Sequence, residues 1–433
     1  MPDPKTKNHP KKDEKIIVAE IVSIGTELLL GDIINTNAVF ISQKLAALGI
    51  NCYYHSTVGD NPERINHTLT KALLRSDIVI TSGGLGPTVD DVTVASIAET
   101  IKRPLVFDSK LLIPIRKYFQ KRKVPMPNSV KKQSYIPKGS MTIENKFGTA
   151  AGLIMAYNSK LIIALPGPPS ELVPMFTEKV MPYLKLKLGN IASLKTRTIK
   201  ILGLSEGFIN EQVKTLLKLK GKTRMGIYIK PGGEVNLKIM SKGSGKDNQI
   251  NDIERVIIKK FGPNIYGFDN DEIEHVVGNL LRNRKKTIAI AESCTGGLIS
   301  SMITDINGSS DYFLGSVVAY NNNIKINQLK VNAEILKKNG AVSCPVAKEM
   351  ASNVKNMFKT DLSIAVTGIA GPTGGTKTKP VGLVFISVAS NKTLCTKKFL
   401  FSGTRRDIKL KTAKAALFML LQVLKGYGLF KLS

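Results

Sequence analysis

A serine beside a cysteine and two glycines is the segment of the sequence best suited to chemistry. Residues 292–298 read Glu-Ser-Cys-Thr-Gly-Gly-Leu, between a strand-like run over 287–291 and an apolar helical run over 298–303. A strand-to-helix turn would expose Ser293 beside helix N–H groups, which can stabilise an oxyanion. Capping of that helix by Ser293 or Thr295 accounts for the same pattern. The residues alone therefore leave a nucleophile and a helix cap as alternatives.

A nucleophilic serine needs a base, and the chain has few histidines to offer. The four are His9, His55, His67 and His275. The first three precede the region that contains the serine, and His275 falls within an amphipathic helical pattern. A serine–histidine–aspartate triad is therefore not expected, which leaves a lysine as the base. Burial or nearby positive charge can lower a lysine pKa enough for that role.

A glycine-rich loop over 81–93 is the second segment with chemical potential. It joins a buried-strand pattern to a helix, a position where backbone N–H groups can bind phosphate. Asp90 and Asp91 either complement the helix dipole or, with Asp60, hold magnesium or manganese against a diphosphate. The loop residues expected to bind phosphate are Gly83, Gly84, Gly86 and Thr88.

The elements that position this loop alternate between strands and helices. Strands are predicted over 16–24, 77–81 and 161–165, with a helix over 37–48 and another that begins at Asn61-Pro62. Such alternation predicts a parallel sheet with helices on both faces.

The rest of the chain predicts two further domains. After a disordered basic arm over 1–15 and a first domain over 16–181, we expect a small α+β module over 182–267 and a third domain over 271–433. The module combines a strand over 196–202, a helix over 206–217 and a hairpin whose strands are 226–230 and 235–239. The third domain begins with a helix over 271–284 and ends with one over 408–424.

Composition limits the partners and the compartment. With 63 basic and 33 acidic residues the formal charge is +30, which suits nucleic acid or anionic small molecules. The lysines are spread out and seldom interleave with aromatic residues, so a solvated surface is favoured and nucleic-acid binding is not expected. Four widely spaced cysteines, no secretory signal and no apolar run of about 20 residues predict a cytoplasmic protein without disulfides or membrane spans.

Several segments of the third domain resemble the nicotinamide-nucleotide amidase family, which forms the C-terminal domain of CinA proteins. They are residues 291–297, Tyr320 with Lys325, 340–343, 366–375, 379–382 and 401–405. The resemblance implies hydrolysis of nicotinamide mononucleotide without a cofactor, in a homodimer. It assigns the nucleophile to Ser293 and not to the neighbouring Cys294, and the base to Lys325, assisted by Tyr320.

The same resemblance implies a substrate pocket around these residues. Arg405 is the candidate phosphate ligand, because a guanidinium can hold phosphate through two hydrogen bonds. The other residues expected to shape the pocket are Thr295, Gly296, Gly297, Thr367, Gly368, Ala370, Gly371, Gly374 and Gly375.

The first domain resembles the N-terminal domain of the CinA (competence/damage-inducible) family, which is similar to molybdopterin-binding proteins. The matching segments are residues 25–31, 35–37, 82–91 and 166–169. The resemblance implies a doubly wound fold and, in some members, metal-dependent cleavage of ADP-ribose, with Asp60 and Asp91 as metal-associated acids.

The expected architecture is thus α/β: a doubly wound molybdopterin-binding-like domain, a KH-like α+β module and an α/β amidase domain. The module carries Pro231-Gly232-Gly233-Glu234 and lacks the G-x-x-G clamp of RNA-binding KH domains. Two other interpretations stay open at this point: a nucleic-acid-associated competence protein, and a module that only binds a pterin or nucleotide.

Overall fold

The computed structural model describes residues 17–189, 194–217, 223–242 and 249–427. The predicted basic arm lies outside these residues. The described chain forms two compact units. The first ends at Lys195, and the second takes Thr196–Ser241 and the described residues from 249 on. The middle module therefore belongs to the same unit as the C-terminal domain.

The first unit is built on a six-stranded sheet in the order β2-β1-β3-β8-β7-β6. Strands β2, β1, β3 and β8 are parallel, as predicted, but β7 runs antiparallel to both β8 and β6. The described strands are β1 (Val18–Ile24), β2 (Asn51–Val58), β3 (Ile78–Ser82), β4 (Leu105–Phe107), β5 (Tyr135–Pro137), β6 (Met141–Ile143), β7 (Gly152–Tyr157) and β8 (Lys160–Leu165).

The antiparallel edge of this sheet, which the strand–helix alternation did not predict, has a local reason. Only Asn158 and Ser159 separate β7 from β8, and both have positive φ, at 44° and 64°. A two-residue turn of this kind joins antiparallel neighbours, whereas a parallel connection needs a dozen or more residues.

Helices cover both faces of the sheet, as predicted. Alternate residues of β1 face opposite sides: Ile21 packs in one apolar cluster with Ile41, and Val22 in another with Ile65. The described helices are α1 (Thr26–Leu30), α2 (Thr36–Ala47), α3 (Pro62–Arg75), α4 (Thr93–Thr100), α5 (Ser109–Lys121), α6 (Pro169–Met175) and α7 (Met181–Leu188).

The middle module is a four-stranded sheet, in the order β10-β11-β9-β12, with two helices. The predicted hairpin is confirmed, and its turn places Gly232 and Gly233 at positive φ. The elements are β9 (Leu194–Ile201), α8 (Glu206–Leu217), β10 (Thr223–Lys230), β11 (Glu234–Lys242), α9 (Gln249–Phe261) and β12 (Ile265–Phe268).

The C-terminal domain has a five-stranded sheet in the order β14-β13-β15-β16-β17. Its strands are β13 (Ile288–Glu292), β14 (Phe313–Val318), β15 (Leu362–Gly368), β16 (Leu383–Ser390) and β17 (Leu394–Leu400). Its helices are α10 (Ile273–Asn283), α11 (Leu298–Thr304), α12 (Asn322–Asn327), α13 (Ala333–Asn339), α14 (Cys344–Phe358) and α15 (Arg405–Lys425). Strands β14, β13 and β15 are parallel, so their carboxyl ends meet at one edge, where ligands bind in such sheets.

Helix α15 joins the module to this domain. Its Lys414 donates to the fully buried Glu234 of β11 at 2.8 Å, and Gln422 donates to the Pro263 carbonyl at 2.6 Å. Lys200 Nζ lies 3.9 Å from the second Glu234 oxygen. The contact between module and domain is thus built on a buried charge pair. Within the described residues, no helix is long and apolar enough to cross a membrane.

Candidate active site

Ser293 stands at the predicted strand-to-helix turn. Strand β13 ends at Glu292, helix α11 begins at Leu298, and the turn between them uses positive φ at Gly296 and Gly297. The Ser293 N–H donates to the Val366 carbonyl of β15 at 3.1 Å. The central strand and its neighbour thus fix the serine at the carboxyl edge of the sheet.

The start of α11 is held by a carboxylate, not by a hydroxyl cap. Glu292 is fully buried and accepts from the N–H groups of Gly297, Ile299 and Ser300 at 3.0, 3.1 and 2.8 Å. It also accepts from the Ser300 hydroxyl at 2.6 Å. The helix has Gly297 as its N-cap with no side-chain cap bond, so the capping interpretation of Ser293 or Thr295 is wrong.

Glu292 is the positioning residue that sequence reasoning missed. A signal for it existed, because an acid ends a buried strand while the following helix has glycine at its cap position. Three of its four hydrogen bonds also occupy the helix amides that were expected to face an oxyanion. Among the described residues the amides of Cys294 and Thr295 donate to no protein acceptor.

Lys325 reaches Ser293 from the segment that follows the neighbouring strand β14. It lies in α12, which follows β14, and its side chain is only 1% exposed. Its Nζ is 3.2 Å from Ser293 Oγ, 2.7 Å from the Ala319 carbonyl oxygen and 3.4 Å from that of Tyr320. The two residues assigned as nucleophile and base by resemblance are therefore in direct contact.

The surroundings of Lys325 make its protonated form less favourable than it is in water. Burial lowers the pKa of Lys325 below its usual range, and no ion pair of the described residues includes it. A neutral amine has two N–H groups and one lone pair. If Lys325 is neutral and directs its two N–H groups to the carbonyls of Ala319 and Tyr320, its lone pair faces the Ser293 hydroxyl.

Cys294 faces the opposite way from its neighbour. It is 5% exposed and packs in the apolar cluster around Ile290 and Ile299. Burial raises the pKa of Cys294 to about 12, so the thiolate that a cysteine nucleophile needs is disfavoured. This placement agrees with the prediction that only one of Ser293 and Cys294 contacts Lys325. It also agrees with the prediction that the cysteine packs as an apolar residue.

Tyr320 contacts the base through its main chain. Its side chain is 60% exposed, and its hydroxyl accepts from Arg405 at 2.6 Å. Arg405 also donates to the Gly371 carbonyl at 2.7 Å. The two side chains therefore join the start of α15 to the loop after β15, and Tyr320 contacts Lys325 through its carbonyl oxygen.

The glycine loop after β15 lies beside Arg405, which donates to its Gly371 carbonyl. Thr367 is buried and its hydroxyl donates to the Ala341 carbonyl at 2.8 Å, while Gly371 and Gly374 adopt positive φ. Thr295 is also fully buried, and its hydroxyl oxygen has no partner. The remaining predicted pocket residues have these placements: Gly368 and Ala370 at the base of the loop, and Gly375 exposed near its tip.

The predicted phosphate loop of the first domain borders a separate cavity of about 380 Å³. Gly83, Gly84, Gly86, Asp60, Asp90 and Asp91 all line it. Gly83 and Gly84 have positive φ, and a Cβ at Gly83 would collide with the Ile24 carbonyl, so the loop needs glycine there.

The acids of this cavity already have hydrogen-bond partners. Asp60 accepts from the N–H and hydroxyl of Thr26, both at 2.8 Å, and Asp91 accepts from those of Thr88 at 2.9 and 2.6 Å. The Thr88 hydroxyl also lies against Asp90 and lowers the pKa of that carboxyl. Within the described ranges, no group of three histidine, cysteine or acidic side chains is placed to hold a metal ion. The metal site stays a prediction.

Comparison with known proteins matches all three regions. Family models match residues 20–186 (probable molybdopterin binding domain), 196–267 (damage-inducible protein CinA KH domain) and 270–424 (CinA C-terminal domain). The predicted order of fold types is confirmed.

Full-length relatives agree. A putative competence-damage inducible protein of Thermoanaerobacter pseudethanolicus is 46% identical over 94% of this chain and 98% of its own length. A CinA-like protein of Dictyoglomus thermophilum is 45% identical over 92% of this chain and 97% of its own. In a solved structure, the competence/damage inducible protein CihA from Agrobacterium tumefaciens is 35% identical and covers 35% of this chain and 93% of its own, with a TM-score of 0.35.

Proposed function

The chain belongs to the CinA family of competence/damage-inducible proteins, and from that premise we propose that its C-terminal domain hydrolyses the carboxamide of nicotinamide mononucleotide. The observation that carries the proposal is the 3.2 Å contact between Ser293 Oγ and the buried Lys325 Nζ. A buried amine without an acidic partner is suited to accept a proton, and a serine hydroxyl needs such a base.

The reaction follows from these two groups. Ser293 Oγ attacks the carboxamide carbon while its proton passes to Lys325 Nζ, and the negative charge moves onto the carboxamide oxygen. Collapse of this intermediate breaks the C–N bond, and Lys325 returns the proton to the departing nitrogen, which leaves as ammonia. Water then attacks the acyl-enzyme ester, gives a proton to Lys325, and releases nicotinic acid mononucleotide as Ser293 is reprotonated.

The pocket also offers a donor for the oxyanion and a ligand for the substrate phosphate. The amides of Cys294 and Thr295 donate to no acceptor within the described residues, so these two groups of the nucleophile turn are the candidates to donate to the developing oxyanion. Arg405 is exposed and holds its guanidinium between Tyr320 and Gly371, so it can also donate to a substrate phosphate. No step of this reaction requires a metal ion.

The test is ammonia release from nicotinamide mononucleotide by the full chain, with the acid product identified by mass spectrometry. Lys325→Met should lower kcat by about 10²- to 10⁴-fold, the usual contribution of a general base, and Lys325→Arg should not rescue because arginine stays protonated. Lys338→Met, at an exposed lysine of α13, is the matched control.

Ser293→Ala should abolish turnover, whereas Ser301→Ala, at an exposed serine of α11, should not. A wild-type chain that releases no ammonia would end the proposal. A Lys325→Met chain with near-wild-type kcat would exclude Lys325 as the base.

A diphosphate nucleotide such as ADP-ribose is proposed as the ligand of the first domain, and one observation favours it. The loop of Gly83, Gly84 and Gly86 opens its backbone onto a cavity that Asp60 and Asp91 also line. If those acids hold magnesium, a chelator should stop diphosphate cleavage and leave ammonia release intact. Loss of both activities in chelator would contradict the separation of the two sites.

A further inference from the structure

Lys409 is a basic residue of α15 whose side chain reaches the turn that carries Ser293. Its Nζ lies 3.7 Å from the point where a Cβ on Gly296 would stand. Gly296 is tied to the nucleophile, because its N–H donates to the Ser293 carbonyl oxygen at 3.1 Å. The Lys409 ammonium therefore lies close to the turn that carries Ser293, and its side chain is only partly exposed.

Lys409 differs from the other lysines on its stretch of helix. Lys411 donates to the Ser402 carbonyl at 2.7 Å, and Lys414 donates to Glu234 at 2.8 Å. Lys409 makes no hydrogen bond or ion pair within the described ranges. In a chain with 63 basic and 33 acidic residues an unpaired lysine alone indicates nothing. The reason to assign Lys409 a role is its location beside the turn that carries Ser293.

A second cation stands on the same face of the helix. Arg405 precedes Lys409 by four residues, which places the two side chains one turn apart. Arg405 uses two of its five donors, on Gly371 and on Tyr320, and keeps the others for a ligand. Arg405 is also near enough to the turn to lower the pKa of Cys294, a minor effect beside the burial that raises it. Two like charges at this spacing are unfavourable alone and become favourable with an anion between them.

We propose that Lys409 and Arg405 together bind the phosphate of the nucleotide substrate, and that Lys409 sets the preference for a nucleotide over a nucleoside. This inference rests on the amidase function proposed above and names a residue that recognises the end of the substrate away from the carboxamide. Lys409 is a specificity residue: it acts on the phosphate and takes no part in proton transfer.

The experiment compares nicotinamide mononucleotide with nicotinamide riboside, which lacks the phosphate, on the full-length chain. Lys409→Met should lower the ratio of the two kcat/KM values by about 10- to 100-fold, the range for loss of one charge-assisted hydrogen bond. The change should lie mainly in KM, because the phosphate is bound equally in the ground and transition states. Lys409→Arg should restore the ratio, and Lys411→Met, two residues along the same helix, should keep it.

A ratio that stays the same in Lys409→Met would overturn the proposal. So would an equal loss on both substrates, since that would place Lys409 at the reacting centre.

Binding of ribose 5-phosphate separates this inference from the amidase function. It should raise the melting temperature of the wild-type chain, and Lys409→Met should reduce the shift while Lys411→Met does not. A wild-type chain that binds the phosphate through Lys409 but releases no ammonia would refute the amidase and support the anion site. Equal shifts in wild type and Lys409→Met would refute the anion site.

Discussion

Glu292→Gln removes the negative charge beneath the nucleophile turn while it keeps the size of the side chain. The Glu292 carboxylate accepts from Ser300 on one oxygen, and from the N–H groups of Gly297 and Ile299 on the other. A glutamine can keep its oxygen on Ser300. Its NH₂ group would then face the N–H groups of Gly297 and Ile299, so donors would meet donors.

The cost follows from counting those donors. Each buried donor left without an acceptor costs about 1–3 kcal/mol, so two of them predict a loss of about 2–6 kcal/mol in the free energy of unfolding. Ser300→Ala removes only the 2.6 Å hydroxyl contact and should cost about 1 kcal/mol. The turn would also shift, and a displacement of about 1 Å at a nucleophile can lower kcat about 100-fold.

The assay is guanidinium unfolding of the full chain followed by circular dichroism, together with kcat for ammonia release. Glu334→Gln is the matched control, since Glu334 is exposed in the first turn of α13. A Glu292→Gln chain whose stability and kcat both stay at the level of this control would refute the argument. Such a result would mean that the four hydrogen bonds do not hold the turn in place.

Three further predictions concern protonation, the neighbouring thiol and the buried charge pair. Because burial lowers the pKa of Lys325, kcat/KM should rise with pH through an apparent pKa below the roughly 10.4 of a free lysine, and a limb at or above that value would contradict a buried base. Cys294→Ala should retain ammonia release at a lower level through packing loss, and alkylating reagents should inhibit weakly because the thiol is buried with a pKa of about 12; an inactive but stable Cys294→Ala beside an active Ser293→Ala would reverse the assignment. Lys414→Met should lower the free energy of unfolding by about 3–5 kcal/mol near neutral pH, because it leaves Glu234 buried without its closest partner. The control Lys411→Met, at a partly exposed lysine of the same helix, should cost less than about 1 kcal/mol. Similar losses in both variants would show that the buried pair contributes no more than this surface contact.

The pH dependence of this charge pair has a definite sign. Burial alone would raise the pKa of Glu234, but the hydrogen bond from Lys414 and its charge bring it below the usual value. A carboxyl with a lowered folded-state pKa contributes stability above its unfolded pKa of about 4.3 and loses it as pH falls through the folded value. The difference in stability between wild type and Lys414→Met should therefore shrink in acid, where Glu234 becomes neutral in both chains.

Local patterns predicted most elements of the fold, and the failures have local causes. The hydrophobic runs and caps located β1, β3, β8 and α3, and the hairpin of the middle module. The antiparallel edge of the first sheet was missed because it depends on a tight turn at Asn158 and Ser159. The positive φ angles of these two residues were not predicted from the sequence. Periodicity reports which residues are buried and does not report strand direction.

The sequence indicated which residues form the site, but it did not indicate how they are arranged in space. Ser293 and Lys325 are 32 residues apart, and they meet because β14 lies beside β13 in the sheet, a neighbour relation that spacing does not encode. The family resemblance selected this lysine among many. It did not indicate that the Tyr320 side chain turns outward to Arg405, nor that Lys409 reaches the catalytic turn.

Three consecutive residues show how one chain segment supports several roles at once. Glu292 is directed to the start of α11, Ser293 to Lys325 and Cys294 to the apolar core. A strand that ends in a turn sends successive side chains in different directions, so these three cannot exchange roles without moving the backbone. The buried carboxylate fixes the helix and the buried thiol packs the turn against the core. Among the described residues, the side-chain hydrogen bond of the Ser293 hydroxyl is to Lys325. The chemistry proposed for Ser293 therefore depends on the two residues beside it, which hold it in place next to Lys325, the base proposed for it.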